Sequence, residues 1–460
     1  MGLRTIAAVA LCKTLHFAAR VLRRGGTAMP GRWALKICPE LAGTLARGVE
    51  ILVITGTNGK TTSARICEQA FSDAGLDYLA NRSGANLLSG ITTEFCLHST
   101  LTGRCKKKYA VIECDEAAAR RALGYLKPKA VLVTNLFRDQ LDRYGEVTHT
   151  LENIREGLKH APEAVLCLNA DCSLTSSLAL DLPNSVIYYG LEKSAADPDT
   201  KPALLSDATH CIRCKAEYEY DYVTYGHLGG FRCPHCGYAR HAAGVAVTAI
   251  RELGLDSSAI EISAYGGEPR TVRVNLPAMY NIYNAAGSVA AVTTMGLSLE
   301  QAVGAIGSFR CGFGRMEKFD LGARGTRVML VKNPAGCDQV LRFLAAADEP
   351  MMLAVLLNDN DADGTDISWI WDAEFEALTG LGEKLRRVYV SGTRAPDLFL
   401  RLKYAGIDPE RIAVERDHET LTERLSQAEE PVFIMPTYTA LLEFRPHLLK
   451  RCGGADFWEG

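Results

Sequence analysis

Residues 53–62 read VITGTNGKTT, and this stretch decides how the rest of the chain is organised. Just before the glycines, Ile51 to Ile54 is a short apolar run rich in β-branched residues, the pattern of a buried strand. A Gly-rich turn follows, then a helix-like segment from Thr61. In that order the backbone N–H groups of the turn and helix N-terminus can point at phosphate oxygens, Lys60 can neutralise them, and the hydroxyl of Thr61 or Thr62 can ligate Mg²⁺. The general GxxxxGK[ST] loop would set its first glycine where Ile54 stands, and Gly56 comes too late, so the loop is shortened. The alternative is a glycine turn that serves only packing.

A chain of 460 residues is too long for one core and divides into two or three domains. Its 47% hydrophobic and 23% charged content are those of an ordinary globular protein. A net charge of -3 gives no global reason to expect nucleic acid, so any binding surface is local. Residues 1–24 resemble a secretory signal only loosely: Lys13 interrupts the apolar stretch from Ile6 to Cys12, and no small-residue cleavage site follows. A helix ending in Arg20, Arg23 and Arg24 fits better, either packed on the first domain or lying as a basic amphipathic contact on a membrane surface. No run reaches the ~20 apolar residues needed to span a bilayer.

Fifteen cysteines, an odd number, mostly scattered through apolar or helical segments, fit a reducing cytoplasm. Four of them stand apart. Cys211 and Cys214 form one CxxC knuckle and Cys233 and Cys236 another, with eighteen residues between the pairs. Four thiolates at this spacing close a tetrahedral Zn²⁺ site, and the Tyr and Val alternation between them reads as a small hairpin. Such a site leaves no open position for water, so its expected contribution is to folding. His210, His227 and His235 are the substitutes available if a cysteine were not a ligand. The linker KAEYEYDYVTYGHLGGF has three acids and one lysine, which argues against a nucleic-acid-binding ribbon.

Apolar runs recur at Tyr109 to Cys114, Ala130 to Thr134, Ala164 to Leu168 and Ser185 to Tyr189, with helical segments between them and helices later at residues 281–296 and 299–309. Strands alternating with helices predict a mostly parallel sheet covered on both faces. After the Gly-rich FRCGFGRMEKFDLG, a second series begins with Val328 to Val331, Met351 to Leu357, Val388 to Val390 and Val432 to Met435, a smaller α/β unit. Its first long strand runs into DNDADG, Asp359 to Gly364. That stretch opens like a calcium loop but has Ile370 where the bidentate carboxylate belongs. An acidic loop at the end of a parallel strand is where open α/β sheets place functional groups, and a solvated turn is the competing reading.

TGTNGKTT, the strand end VIECDE, TNLFRDQLDRYGE, NIYNAAGSVAA and GRME occur in one order that resembles the central domain of the Mur ligases and folylpolyglutamate synthetases, over residues 45–320. The inserted cysteine ribbon, KNPAG at residues 332–336 and LLNDNDADGTDISWIWD are similar, more narrowly, to the MurT family of ligase-like subunits of lipid II isoglutaminyl synthase. The resemblance implies that Gly56, Thr57, Asn58, Gly59, Lys60, Thr61 and Thr62 hold ATP, with Mg²⁺ on Thr61 and Glu113. Asn281 and Asn284 would lie near the adenine, and Arg315 would face the phosphates. Read from residues alone, the competing readings are a solvated acidic cluster at Glu113, Asp115 and Glu116 and a helix cap at Asn281. The Mur ligases usually read DHLD where this chain has Asp139, Gln140, Leu141 and Asp142, so a His contact to the metal is missing.

The same resemblance implies that Asp359 orients a histidine in a glutaminase partner, with Asp363 as the reserve because spacing does not separate them. No GxCxG-like elbow occurs around Cys105, Cys311 or Cys337, so the chain reads as half of an amidotransferase. A GatD-like glutaminase would be the other half, and the acceptor the α-carboxyl of D-glutamate in lipid II. The expected organisation is a helical segment at residues 1–44, a Mur-ligase central domain at 45–320 with the ribbon inserted at 205–240, and a Rossmann-like α/β domain at 321–460 contacting the partner. The rival readings are a ligase adding an amino acid without a partner and a nucleotide-dependent scaffold. The expected location is the cytoplasm, at or near the inner membrane face.

Overall fold

A computed structural model describes residues 2–21, 28–81, 85–139, 147–198, 200, 207–254, 256–310 and 315–453. The chain forms two compact units. The first comprises Met1–Phe137, Val147–Leu253 and Ser257–Phe309, and the second Arg138–Glu146, Gly254–Asp256 and Arg310–Gly460.

The first unit is built on a nine-stranded sheet. Its strands are β1 (Glu50–Thr55), β2 (Tyr78–Ala80), β3 (Tyr109–Glu113), β4 (Ala130–Val133), β5 (Val165–Asn169), β6 (Val186–Leu191), β9 (Val245–Leu253), β10 (Ser258–Ala264) and β11 (Arg270–Val274), in the order β11-β10-β9-β6-β5-β4-β1-β3-β2. From β2 to β9 all neighbours are parallel, as continuous apolar runs such as Leu52, Val53 and Ile54, buried on both faces, require. In register, Ile54 lies opposite Glu113 and Thr55 opposite Val133. The ends of β3, β1 and β4 therefore come out on one edge, where the chain switches from one side of β1 to the other and an open α/β sheet binds its ligand. The helix Met279–Thr294 is buried on nearly every side against this sheet. Its Ala, Gly and Ser residues permit the approach: a Cβ on Gly287 would stand 2.9 Å from the Tyr189 ring.

The antiparallel edge β9-β10-β11 was not among the strands read from sequence. Its burial alternates strictly along Ser258–Ala264, with Glu261 and Arg270 on the solvated side. The signal was alternation rather than an apolar run. At the other end of the unit, the helices Leu3–Val21 and Ala28–Ile37 pack against the helix Leu88–Leu97. Lys13 Nζ donates to Ser99 O at 2.5 Å and Gly31 N to Thr93 Oγ1 at 2.9 Å. Arg23 and Arg24 fall outside the described residues. No described helix is long and apolar enough to cross a membrane.

The second unit holds a six-stranded sheet of β12 (Arg315–Phe319), β13 (Thr326–Met329), β14 (Met351–Leu356), β15 (Leu385–Ser391), β16 (Ile412–Val414) and β17 (Val432–Pro436), ordered β12-β13-β17-β14-β15-β16. All pairs but β12-β13 are parallel. Leu353 and Val355 enter one apolar cluster while Ala354 and Leu356 enter another, so both faces are covered. Within the first unit, between β6 and β9 in sequence, β7 (Glu219–Tyr225) and β8 (Leu228–Arg232) form a separate two-stranded hairpin in the cysteine ribbon.

Candidate active site

At the end of β1 the chain turns through Gly56 and Gly59 into the helix Lys60–Asp73. Gly56 has φ +120° and Gly59, at the N-cap, φ +86°, conformations costly for other residues. Space is equally restrictive, because a Cβ on Gly56 would meet Thr134 Oγ1 at 2.4 Å and one on Gly59 would meet Asn284 Oδ1 at 2.0 Å. The segment after β4 braces the turn. Asn135 O accepts from Thr57 N at 2.9 Å, and Asn135 Oδ1 from Asn58 N at 3.0 Å. Thr134 Oγ1 donates to Asn58 O at 2.7 Å, while Phe137 N donates to Thr57 Oγ1 at 3.2 Å. The loop is thus clamped with the helix N-terminus open to an anion, the arrangement that binds phosphate.

Lys60 is buried, and its ammonium donates to Gly56 O at 2.6 Å and Glu116 Oε1 at 2.9 Å. Burial alone would lower its pKa; Glu116, with Asp115 and Glu113 behind it, outweighs that effect and raises it, so Lys60 stays charged. Glu113, Asp115 and Glu116 are all buried, which corrects the reading of a solvated acidic cluster. Each has its own place. Asp115 caps the helix Glu116–Leu126 through Ala117 N at 3.0 Å, Glu116 pairs with Lys60, and Glu113 sits at the strand end. Asn81 fixes that strand end by accepting from Glu113 N at 2.9 Å and donating to Glu113 O at 2.7 Å. Asn86 Nδ2 donates to the Glu113 carboxylate at 3.4 Å. Thr61 is half-buried and Thr62 buried on the first turn of the helix. A hydroxyl and a carboxylate are hard oxygen donors, the type Mg²⁺ takes.

Asn281 is not a helix cap: the N-cap is Ala278, and Asn281 lies inside the helix with Nδ2 donating to Pro277 O at 2.7 Å. Asn284 lies against Gly59 of the glycine turn and donates to Asn281 Oδ1 at 3.2 Å, which sets Asn281 one hydrogen bond behind it. The side chain of Arg315, at the start of β12, and Gln140, Leu141 and Asp142 lie outside the described residues. Asp139 is described, and in the second unit it accepts from Lys332 Nζ at 2.6 Å and Asn333 Nδ2 at 3.2 Å. The KNPAG stretch therefore engages the very segment that departs from DHLD.

In the ribbon, the sulfurs of Cys211, Cys214, Cys233 and Cys236 all lie within 4.8 Å of one another. Zn–S bonds of about 2.3 Å in a tetrahedron require S···S separations of about 3.8 Å, so the four can hold a metal ion. Both knuckles turn left-handed after their second cysteine, at Lys215 (φ +65°) and Gly237 (φ +74°). His227 is no ligand substitute; it lies at the hairpin tip with Nε2 3.3 Å from Cys172 Sγ. The same tip reaches the nucleotide loop's brace. Tyr225 stacks on Phe137 at 5.7 Å between centroids, and a Cβ on Gly226 would strike that ring at 2.7 Å. Buried Asp171, unmarked by any motif, ties the ribbon down by accepting from Arg240 Nε at 2.6 Å, Leu191 N at 2.9 Å and Tyr283 OH at 2.5 Å.

In the second unit the two aspartates of the acidic loop have different surroundings. Asp363 is buried and accepts from Thr439 N at 2.7 Å and from the Thr439 hydroxyl, at the start of the helix Tyr438–Cys452. Asp359 is only half-buried, accepting from Thr393 Oγ1 at 2.9 Å with Arg394 Nε 3.7 Å away. Between them in space, Asn358 joins the ends of three strands, donating to Glu443 Oε2 at 3.0 Å and accepting from Thr393 N at 3.0 Å. Ile370 is fully buried, so the loop lacks the geometry of a calcium site.

Residues 54–232 match the Mur ligase middle domain, and residues 330–441 match the MurT ligase C-terminal domain. The lipid II isoglutaminyl synthase (glutamine-hydrolyzing) subunit MurT of Streptococcus pneumoniae (strain ATCC BAA-255 / R6) is 34% identical over 459 residues, which cover 98% of each chain. The chain belongs to the MurT family. A second MurT subunit, from Staphylococcus aureus (strain COL), is 31% identical over 95% of this chain and 96% of its own. MurF of Acinetobacter baumannii superposes with a TM-score of 0.66 at 15% identity, over 91% of this chain and 80% of that one, a likeness of fold. The MurT and Mur-ligase family matches agree with the two α/β sheets described above.

Three groups in the site were not read from the sequence: the Thr134–Phe137 brace, Glu116 as the partner of Lys60, and Asn81 with Asn86 around Glu113. TNLF was noted as a motif, but its hydrogen bonds to a loop some 80 positions away leave no periodic trace.

Proposed function

We propose that this chain is the ATP-dependent synthase subunit that amidates the α-carboxyl of D-glutamate in the lipid II stem peptide, giving D-isoglutamine with ammonia from a GatD-like glutaminase. The observation that carries the proposal is the clamped turn Gly56–Gly59 with a buried, charged Lys60 beside Glu116 and Glu113, in a chain of the MurT family. A carboxylate is a poor electrophile. Its oxygen becomes a leaving group when it takes the γ-phosphoryl of ATP, and ammonia then attacks the acyl phosphate and expels phosphate.

The chain's own groups position and neutralise. The turn's N–H groups and the start of the helix Lys60–Asp73 cradle the phosphates, and Lys60 offsets the charge building on the transferred oxygens. Thr61 and Glu113 would hold Mg²⁺, which when bound shares that charge. Asn281 and Asn284 wall the adenine side, and Arg315 is the further phosphate contact we assign. In the ribbon, the four thiolates would hold Zn²⁺ as a structural ion. Cys337 is fully buried with its thiol pushed well up by burial, unsuited to be a glutaminase nucleophile, which supports a separate polypeptide as the source of ammonia.

Of the two aspartates, Asp359 is assigned to orient the partner's histidine because its carboxylate reaches the surface, whereas Asp363 is spent on Thr439. The chain co-purified with its glutaminase should amidate in a glutamine- and ATP-dependent way. Asp359→Asn should cut glutamine hydrolysis by about 10²–10⁴-fold while ATP turnover on free ammonium survives. Equal glutamine-driven amidation by the variant would remove that role from Asp359.

A further inference from the structure

The helix Leu3–Val21 buries small residues and exposes large ones. Thr5, Ala8, Val9 and Cys12 are buried, whereas Leu3, Phe17 and Val21 are 86%, 68% and 65% exposed and Ile6 joins them. Leu3, Ile6, Ala7, Thr14, Phe17, Ala18 and Val21 are exposed and, with half-buried Ala10 filling the gap, follow helical spacing as one stripe down the helix. Lys13, on the row between Ile6 and Phe17, turns its ammonium onto Ser99 O at 2.5 Å, and Arg4 and Arg20 flank the stripe on opposite sides. The helix Ala28–Ile37, packed on this one, also exposes Met29 and Trp33, at 42% and 48%, and Lys36 Nζ lies 4.2 Å over the Trp33 ring. A helix at a water-facing surface normally turns polar residues outward. Here the outward stripe is apolar, its flanks are cationic, and no acidic side chain occurs before Glu40.

We propose that this face docks on an anionic lipid bilayer. Apolar side chains enter the boundary between headgroups and acyl chains, Trp33 sits at headgroup depth, and Arg4, Arg20, Arg32 and Lys36 meet lipid phosphates. The absence of any acid along these two helices favours a phosphate-rich surface over a protein partner, which would need complementary acids of its own. The purpose of the docking rests on the proposed lipid-linked acceptor: bilayer binding keeps the enzyme on the surface that carries its substrate.

The full chain with its glutaminase is sedimented with vesicles of equal parts phosphatidylglycerol and phosphatidylcholine, and with phosphatidylcholine alone. Binding to the anionic vesicles should be strong, weakened by salt, and about tenfold lower in Phe17→Glu and in the double variant Arg20→Ser, Arg32→Ser. These side chains are exposed, so the melting temperature should stay put. Phe17→Glu should amidate a water-soluble acceptor at the parent rate and a vesicle-embedded one more slowly. Equal binding to both vesicle types, or binding that Phe17→Glu leaves unchanged, would overturn the proposal. So would a self-association that Phe17→Glu abolishes without any vesicle binding, which would assign the face to a second copy of the chain. If the parent bound vesicles but amidated neither acceptor, the docking surface would stand and the proposed reaction would fall.

Discussion

Lys60 has two roles that mutation can separate. In the proposed mechanism it neutralises phosphate, and in the structure it compensates the buried Glu116 carboxylate 2.9 Å away. Lys60→Met removes both, taking the ammonium away from a buried acid at a cost of about 3–5 kcal/mol and lowering ATP turnover by on the order of 10²–10³-fold. The double variant Lys60→Met, Glu116→Gln should regain most of the melting temperature and none of the turnover. Recovery of both together would mean that Lys60 matters only as a packing charge. Lys60 and Gly59 could be read from sequence because strand, glycine turn and lysine are local. Glu116 could not: it pairs with a residue 56 positions away, and spacing along the chain is silent about that. The acidic loop shows the same limit, since only Thr439, 76 positions on, separates Asp363 from Asp359.

At the scale of elements, the tip of the ribbon packs on Phe137, whose N–H holds Thr57 of the glycine turn. Cys233→Ser should abolish the proposed zinc binding, measured by elemental analysis, and open residues 207–240 to protease. ATP turnover should fall as well, because Thr57 loses a brace that Tyr225 and Gly226 keep in place. Unchanged turnover with zinc gone would uncouple the ribbon from the loop. The helix Pro334–Ala345 supplies a pH test. Asp338 accepts from Glu374 N at 2.7 Å, and burial pushes its carboxyl up to about 7, with the Glu374 charge adding to burial while that N–H and Arg342 oppose it. The folded chain then binds a proton that the unfolded chain, with a pKa of about 3.9, has released. Stability from this group is complete below the unfolded value and declines as pH rises through the folded one, so Asp338→Asn should flatten the fall in melting temperature between about pH 4 and 7. An unaltered pH profile would mean that Asp338 titrates as an ordinary surface acid. β1, β3, β4, β5 and β6 of the first unit and β13, β14, β15 and β17 of the second were legible as apolar runs, and the hairpin as alternation between cysteine pairs; the short strands β2, β12 and β16 were not read. The edge β9-β10-β11 was missed because half of each strand is solvated and charged, and an apolar run is the wrong signal for it.

For the whole molecule, two α/β units with a ribbon were legible because each kind of sheet imposes its own hydrophobic pattern. Which carboxylates meet which loops was not, since that is fixed by register, as when Ile54 lies opposite Glu113. The central claim is that the cradle around Lys60 drives activation of an acceptor carboxylate by phosphoryl transfer. Labelling the acceptor's α-carboxyl oxygens with ¹⁸O and following inorganic phosphate by mass spectrometry tests it most directly. Each turnover should deliver one heavy oxygen to phosphate in step with amide formation; productive amidation that releases only unlabelled phosphate would contradict it.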